Sequence, residues 1–158
     1  MVWLRQFRPL PPGWLNTTDT RQVIVTGYLG YAATAEILIG LGVVQTGKVG
    51  DADLVVLPQA TGQQFFGIIL KDEAAFRVIG QTPGTRKGQD FVPIIREAMG
   101  IKVHTASPVS INDPVNCVFT AGVNQGKFTT STVGSIPVNG KWRETTTVAG
   151  VAELEFYL

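Results

Sequence analysis

The chain has 158 residues, of which 44% are hydrophobic and 16% charged, with a formal net charge of +1. This length suits one domain and leaves no room for two, and the hydrophobic content excludes a disordered chain. The balanced charge excludes a general nucleic-acid binder and favours association with other protein, so we expect partners to cover much of the surface.

The residue composition predicts an all-β fold. Val, Ile and Thr total 47 residues, whereas the strong helix formers Ala, Leu, Glu, Lys and Met total 37. Branched side chains are favoured in strands and lose rotamer freedom in helices, and 18 Gly and 9 Pro supply turns. We therefore predict a single-domain β-barrel or jelly-roll-like sandwich over residues 22–158, preceded by an extended N-terminal arm over residues 1–21.

The arm carries the candidate interface residues. Its three prolines oppose a helix or a central strand, and large aromatic and arginine side chains are typical anchors of protein interfaces. The arm either folds back over its own domain or docks on a neighbouring subunit, and its arginines are too few for a nucleic-acid surface. The predicted interface residues are Trp3, Arg5, Phe7, Arg8 and Trp14.

Residues 22–71 contain the first predicted strands. Residues 22–26 form a short strand, and the apolar run at residues 35–45 is interpreted as one bent strand because Gly40 and Gly42 oppose a helix. Residues 46–53 are then a turn, residues 54–57 the return strand and residues 64–71 another strand. Gly67 in that strand indicates a bulge or close packing.

The middle of the chain combines a loop and a predicted hairpin. Residues 72–89 are irregular, and residues 91–96 and 100–105 are interpreted as the two strands of the hairpin. In its second strand Ile101 and Val103 share one face, whereas His104 lies on the other and is expected at the surface or in an interface.

The last third continues the strand pattern. Strands are predicted at residues 115–120, 127–130, 141–147 and 151–158, with residues 131–139 as a loop. In the final strand Ala152, Leu154 and Phe156 alternate with Glu153 and Glu155, which predicts one apolar face. The two glutamates are interpreted as exposed edge charges that discourage aggregation.

No motif predicts catalysis, a cofactor or a metal site. The single cysteine, Cys117, excludes an intrachain disulfide, suits synthesis in a reducing cytoplasm and is expected to be buried. The segment Gly42-Val-Val-Gln-Thr-Gly47-Lys48 matches the start of a phosphate-binding loop, but Val49 lacks the required hydroxyl and a strand follows. Asp51 and Asp53 are interpreted as turn residues. No apolar run is long enough to span a membrane, and the N-terminus lacks a signal-peptide pattern.

Several phrases of residues 35–158 resemble the cement (decoration) proteins of tailed-bacteriophage heads. The arm and residues 74–86 carry none of them. The phrases are Ile37-Leu-Ile-Gly-Leu-Gly-Val-Val-Gln-Thr-Gly47, Val55-Val-Leu-Pro-Gln-Ala-Thr-Gly-Gln-Gln-Phe-Phe-Gly-Ile-Ile-Leu70, Gly88-Gln-Asp-Phe-Val-Pro-Ile-Ile-Arg-Glu-Ala-Met-Gly-Ile-Lys-Val103, Pro114-Val115, residues 123–128 and Gly150-Val-Ala-Glu-Leu-Glu-Phe156.

This resemblance implies a structural virion protein rather than an enzyme. Such a protein binds the outer surface of the head as a homodimer or homotrimer at symmetry axes, with the major capsid protein as its partner. It stabilises the capsid lattice against the pressure of the packaged DNA, with no cofactor, nucleic acid or membrane involved.

Two other functions stay open at this stage. One is a different virion β-protein, such as a head-completion, tail or baseplate component, which would share the same composition. The other is a carbohydrate-binding β-sandwich, in which Trp3, Trp14 and Trp142 would stack on sugar rings.

Overall fold

The computed structural model describes residues 11–15, 22–71 and 82–157, and within them the chain forms twelve strands and no helix. The all-β prediction is therefore confirmed. The strands are β1 (Gln22–Leu29), β2 (Glu36–Leu38), β3 (Gly42–Val49), β4 (Ala52–Val56), β5 (Phe65–Ile69), β6 (Thr85–Lys87), β7 (Phe91–His104), β8 (Asn116–Val118), β9 (Phe128–Thr129), β10 (Ser135–Pro137), β11 (Gly140–Trp142) and β12 (Val151–Phe156).

Five strands close into a barrel. They pair in the order β1-β4-β3-β5-β7, and β7 pairs back with β1 to complete the ring. The β1–β4 pairing is parallel and the other four are antiparallel. Strand β7 has 14 residues, which is long enough for its first part to belong to the barrel while its second part pairs with β12. Strand β12 in turn pairs with β11 and extends the sheet beyond the barrel.

Two hydrophobic cores lie on opposite faces of the central strands. The inner core fills the barrel with side chains that include Leu29, Val43, Val55, Ile69 and Ile94. The outer core lies between the other face and the sheet β10-β8-β9. Because both of its faces are covered, β5 is buried at every residue. A strand covered on both faces reads as a continuous apolar run rather than an alternating one.

Phe65 connects the barrel to the outer layers. Its ring makes edge-to-face contacts with Phe128 of β9, at 5.8 Å between centroids, and with Phe156 of β12, at 5.7 Å. Such aromatic pairs add about 0.5–1.5 kcal/mol beyond their burial. This single side chain therefore joins three sheet segments into one sandwich-like body.

The predicted bent strand at residues 35–45 is two strands in different sheets. Strand β2 pairs with β6, whereas β3 belongs to the barrel. Gly40 between them has φ = +85°, and its N–H donates to the carbonyl of Ile69 at 2.9 Å. Glycine adopts such positive φ values without steric penalty, so it turns the chain here. The turn predicted at residues 46–53 shrinks to Gly50 and Asp51, because β3 continues to Val49.

The predicted hairpin at residues 91–105 is wrong, because these residues form the single strand β7. Residues expected to turn are paired on both sides: Ala98 lies opposite Gln22 of β1 and Phe156 of β12. Local register shifts at Val23/Ile24 and Leu154/Phe156 absorb the irregularity. Two ladders of hydrogen bonds thus hold the segment extended despite its small residues.

The remaining predictions hold in part. Residues 131–139 contain the short strand β10, and the strand predicted at residues 141–147 ends at Trp142. The alternation of β12 is confirmed, with Ala152, Leu154 and Phe156 fully buried.

Candidate assembly surfaces

Residues 11–15 of the predicted arm are attached to the chain's own domain. The N–H of Gly13 donates to the carbonyl of Lys102 at 2.7 Å, and the N–H of Lys102 donates back to the carbonyl of Trp14 at 3.0 Å. Leu15 forms a bridge with Ile101 of β7. On the other side, the N–H of Lys71 donates to the carbonyl of Gly13 at 3.0 Å. This anchor segment, residues 11–15, fixes the chain against the end of β5 and the second half of β7.

Trp14 is half-buried in this anchor segment. The Nζ atom of Lys71 lies 3.3 Å from the centroid of the Trp14 ring, which is a cation–π contact. Such contacts contribute about 0.5–2 kcal/mol, more where the pair is shielded from water. One partner of Trp14 is therefore its own domain.

Of the predicted interface residues, Trp14 alone falls within the described part of the chain. Trp3, Arg5, Phe7 and Arg8 lie outside the described residues. Docking of the arm on another subunit stays a prediction, as does the boundary between residues 21 and 22. The anchor segment determines the point on the domain to which residue 10 is joined.

A pair of exposed valines marks one end of the three-stranded sheet. Val123 follows β8 and Val133 precedes β10, and each is 85% exposed. Their turns are joined because the N–H of Phe119 donates to the carbonyl of Gly134 at 2.9 Å and the Thr120 hydroxyl donates to the same carbonyl at 3.3 Å. We call Val123 and Val133 the valine tips. They were missed in the sequence, although valine among Gly, Asn and Ser in a turn is itself a signal of an exposed apolar residue.

A second exposed apolar pair lies at the other end of β8. Ile111 and Val148 are 55% and 69% exposed. Their loops are joined by the N–H of Thr146, which donates to the carbonyl of Val109 at 2.8 Å, and by the N–H of Ile111, which donates to the Thr145 hydroxyl at 3.4 Å. The outer sheet therefore carries exposed apolar side chains at both of its ends.

Many charged side chains pair with one another. Lys102 and Glu144 lie 2.7 Å apart and Lys87 and Glu36 3.1 Å. Hydrogen bonds from Thr82, followed by the contact with Lys87, lower the pKa of Glu36 below its usual value. These pairs add little stability at an exposed surface. They do reduce the charge offered to a partner, which suits an apolar contact.

The sequence suggested that Glu153 and Glu155 are exposed edge charges, and the structure shows that they are not. Strand β12 lies between β7 and β11 and so is not an edge strand. Both carboxylates face Arg143, at 4.0 Å from Glu153 and 3.4 Å from Glu155. The pair neutralises one arginine within the sheet instead of repelling a neighbouring strand.

Three residues have side chains suited to chemistry or ligand binding, and each is at least half-buried in the domain: Cys117, His104 and Trp142. Cys117 is fully buried, as predicted, and burial raises the pKa of its thiol far above the usual value. His104 is half-buried, and burial followed by the nearby charge of Lys127 lowers its pKa, partly opposed by a hydrogen bond to the Ile39 backbone. Trp142 is 1% exposed and its indole N–H donates to the carbonyl of Pro114 at 3.2 Å. Its ring is therefore not available to stack on a sugar.

The motif resembling a phosphate-binding loop lies along β3, with no helix after it. Within the described ranges, no three residues among His, Cys, Asp and Glu are grouped so that they would hold a metal ion. The same ranges contain no helix long and apolar enough to cross a membrane.

Comparison with solved structures shows the same fold in a phage particle. A chain of the structure titled "The capsid of Myoviridae Phage XM1" superimposes with a TM-score of 0.71 at 16% identity, covering 98% of this chain and 94% of that one. The head fiber gp8.5 N base of bacteriophage phi29 gives a TM-score of 0.48 at 10% identity, covering 86% of this chain and 94% of that one. No match is found among curated proteins.

The sequence also matches a family model. The family is described as structural cement protein (E217 gp24/Pam3 gp6), and the match extends over residues 8–157. It includes the anchor segment, the barrel and the outer sheet. The resemblance found in the sequence is thereby confirmed, and with it a structural role in the virion. The chain belongs to the phage structural cement protein family and stabilises the capsid.

Proposed function

We propose that this protein binds the outer surface of the phage head and bridges subunits of the major capsid protein, opposing the pressure of the packaged DNA. It does so as a homodimer or homotrimer at the symmetry axes of the capsid. The valine tips are the observation that carries this proposal. Val123 and Val133 are each 85% exposed in adjoining turns, so the described chain leaves both apolar side chains available to a partner.

The valine tips suit a contact that is repeated many times over a shell. Each valine buries little area, so one contact is weak, but a bridging oligomer engages several at once. Linked weak contacts give a high overall affinity because later ones form at high effective concentration.

The N-terminal arm supplies the second contact in this proposal. Residues 1–10, which precede the anchor segment, dock on a neighbouring subunit in this proposal. The side chains that make the contact are Trp3, Arg5, Phe7 and Arg8. The cation–π pair of Trp14 and Lys71, with 3.3 Å between Nζ and the ring centroid, supports this arrangement because it holds the base of the arm at a defined position.

The test is reconstitution on purified heads that lack this protein. Wild-type protein is expected to bind expanded heads in many copies per particle, to be absent from unexpanded heads, and to raise the temperature at which heads release DNA. A connector, tail or baseplate component would bind in few copies. Binding in few copies, or no effect on DNA release, would overturn the proposal.

A pair of variants tests the valine tips. Val123→Asp combined with Val133→Asp is expected to lower capsid affinity at least about tenfold, because charged side chains replace apolar contacts. The matched control is Val23→Asp combined with Val151→Asp, which places the same two charges on partly exposed valines outside both apolar pairs and should bind within about twofold of wild type. Equal binding by all three proteins would show that this end of the sheet does not face the capsid.

A further inference from the structure

A groove opens beside β3 where the barrel loses one of its pairings. Strand β3 pairs with β5 from Gly42 to Val44, whereas its pairing with β4 continues to Val49. From Gln45 onward, the edge of β3 that faces β5 carries no strand among the described residues. We call this opening the barrel-mouth groove. Its floor is Val44 and Phe65, and its rim is formed by Gln45, Gln63, Gln64 and Arg96.

Arg96 brings a positive charge to this groove. Its Nε donates to the carbonyl of Phe66 at 3.3 Å, and its guanidinium carbon lies 4.1 Å from the centroid of the Phe66 ring. Among the described residues, no carboxylate lies within ion-pair distance of Arg96, unlike Arg143 or Lys102. The guanidinium is thus positioned by Phe66, while its two terminal nitrogens face no acidic group of the described chain.

The amide side chains around Arg96 add hydrogen-bond donors. The Oε1 atom of Gln63 accepts from the backbone N–H groups of Gln59 and Ala60, at 2.6 and 3.0 Å. This fixes the amide and leaves its NH₂ group as the donor available to a ligand. Gln64 is exposed beside it. A guanidinium with neighbouring amide donors is suited to bind a carboxylate, in the bidentate manner typical of arginine.

We propose that the barrel-mouth groove binds an extended, acidic segment of a neighbouring protein in the capsid shell. The segment adds as a strand along the edge of β3 from Gln45, and one of its carboxylates pairs with Arg96. Strand addition of this kind obtains affinity from main-chain hydrogen bonds and specificity from side-chain contacts. The inference rests on the proposed binding to capsids and names the chemistry of one contact within it.

Changes of opposite charge at Gln64 test the sign of the ligand. The assay is binding to purified heads at low ionic strength. Gln64→Glu is expected to weaken binding about tenfold and Gln64→Lys to strengthen it, because interfacial charges act according to sign. The matched controls are Thr61→Glu and Thr61→Lys, which place the same charges in the same loop outside the lining of the groove. They should stay within about twofold of wild type.

Arg96→Gln is the second arm of the experiment. It should also weaken binding about tenfold while the circular dichroism spectrum is unchanged, and Lys141→Gln at an exposed site should not weaken it. Hydrogen exchange adds a direct readout: the amides of residues 45–48 should exchange more slowly in wild-type protein bound to heads than in free protein, and this protection should be lost in Arg96→Gln.

These outcomes separate the groove from the wider function. The groove proposal is overturned, and the capsid role stands, if wild type binds heads and both Gln64 variants bind as tightly as wild type. The same holds if Arg96→Gln is the only variant that binds heads more weakly. Unchanged exchange at residues 45–48 on bound heads would also overturn it. If wild type fails to bind at all, it is the proposed function that fails.

Discussion

The ammonium nitrogen of Lys71 lies 3.3 Å from the centroid of the Trp14 ring. Lys71 follows β5, and its backbone N–H also donates to the carbonyl of Gly13 at 3.0 Å. Lys71 therefore contacts the anchor segment through both its backbone and its side chain. Together with the hydrogen bonds from Gly13 N–H to the Lys102 carbonyl and from Lys102 N–H to the Trp14 carbonyl, this contact makes the anchor segment part of the β domain.

Two N-terminal deletions should have different effects on stability. Removing residues 1–10 is expected to leave the unfolding free energy nearly unchanged and to weaken capsid association, because the anchor segment is kept. Removing residues 1–15 should in addition destabilise the domain by about 1–3 kcal/mol, since the hydrogen bonds to Lys71 and Lys102 and the cation–π contact are lost. Urea unfolding measures both. Equal stability of the two deletions would contradict the anchoring role.

Gly67 and Gly47 provide a matched pair of substitutions in adjoining strands. A Cβ atom on Gly67 would lie 2.6 Å from Ile94 Cγ2 and 2.6 Å from the carbonyl oxygen of Ile95, whereas the nearest atom to one on Gly47 would be Leu54 Cδ2 at 3.7 Å. Gly67→Ala should therefore cost about 1–3 kcal/mol through overpacking. Gly47→Ala should change stability by less than about 0.5 kcal/mol.

Urea unfolding of the two alanine variants checks this expectation. The comparison isolates packing, because both glycines lie within strands and neither has a positive φ. Similar losses in the two variants would mean that the strand, and not the close contact with β7, determines the cost.

His104 should make the protein less stable in mild acid. Burial and the charge of Lys127 lower its pKa below the usual 6.5. The unfolded chain then binds the proton more readily, so the contribution of His104 is fully present above about pH 6.5 and is lost as the pH falls through the lower folded value. Between pH 7.5 and pH 5.5, the urea midpoint of unfolding should fall more for wild type than for His104→Gln. A steeper fall in the variant would show that the pKa is raised instead.

Cys117 should be unreactive in the folded protein. Burial raises its thiol pKa well above the usual 9.0, so the nucleophilic thiolate is suppressed. A thiol-specific chromogenic disulfide is expected to modify Cys117 only after denaturant unfolds the chain. Because the folded pKa is raised, stability should also decline as the pH rises above about 9, and Cys117→Ala should show a smaller decline, since burial also raises the pKa of Tyr31. Stoichiometric modification of the native protein at pH 8 would contradict the buried position.

The sequence predicts a strand best where one face is buried and the other is not. Strand β12 has one buried face, so its alternation identified Ala152, Leu154 and Phe156 correctly. The segment interpreted as a hairpin, residues 91–105, was misread because its turn-like Ala98 is paired on both sides by residues distant in sequence. The apolar run at residues 35–45 was also misread because of contacts with distant residues, since its break at Gly40 is accompanied by hydrogen bonds from Ile39 N–H to the Gly84 carbonyl and from Gly40 N–H to the Ile69 carbonyl.

The sequence by itself determined the all-β class, the burial of Cys117 and, through its resemblance to phage cement proteins, the family. These follow from residue propensities, apolar runs and short phrases, all of which are local. Only the tertiary structure decided that five strands close into a barrel, that Trp142 is a core residue, that the valine tips are exposed, and that Arg96 lies beside the open edge of β3. Those properties depend on which distant residues cover a side chain or leave it uncovered, and contacts between distant segments are set by the packing of the whole fold.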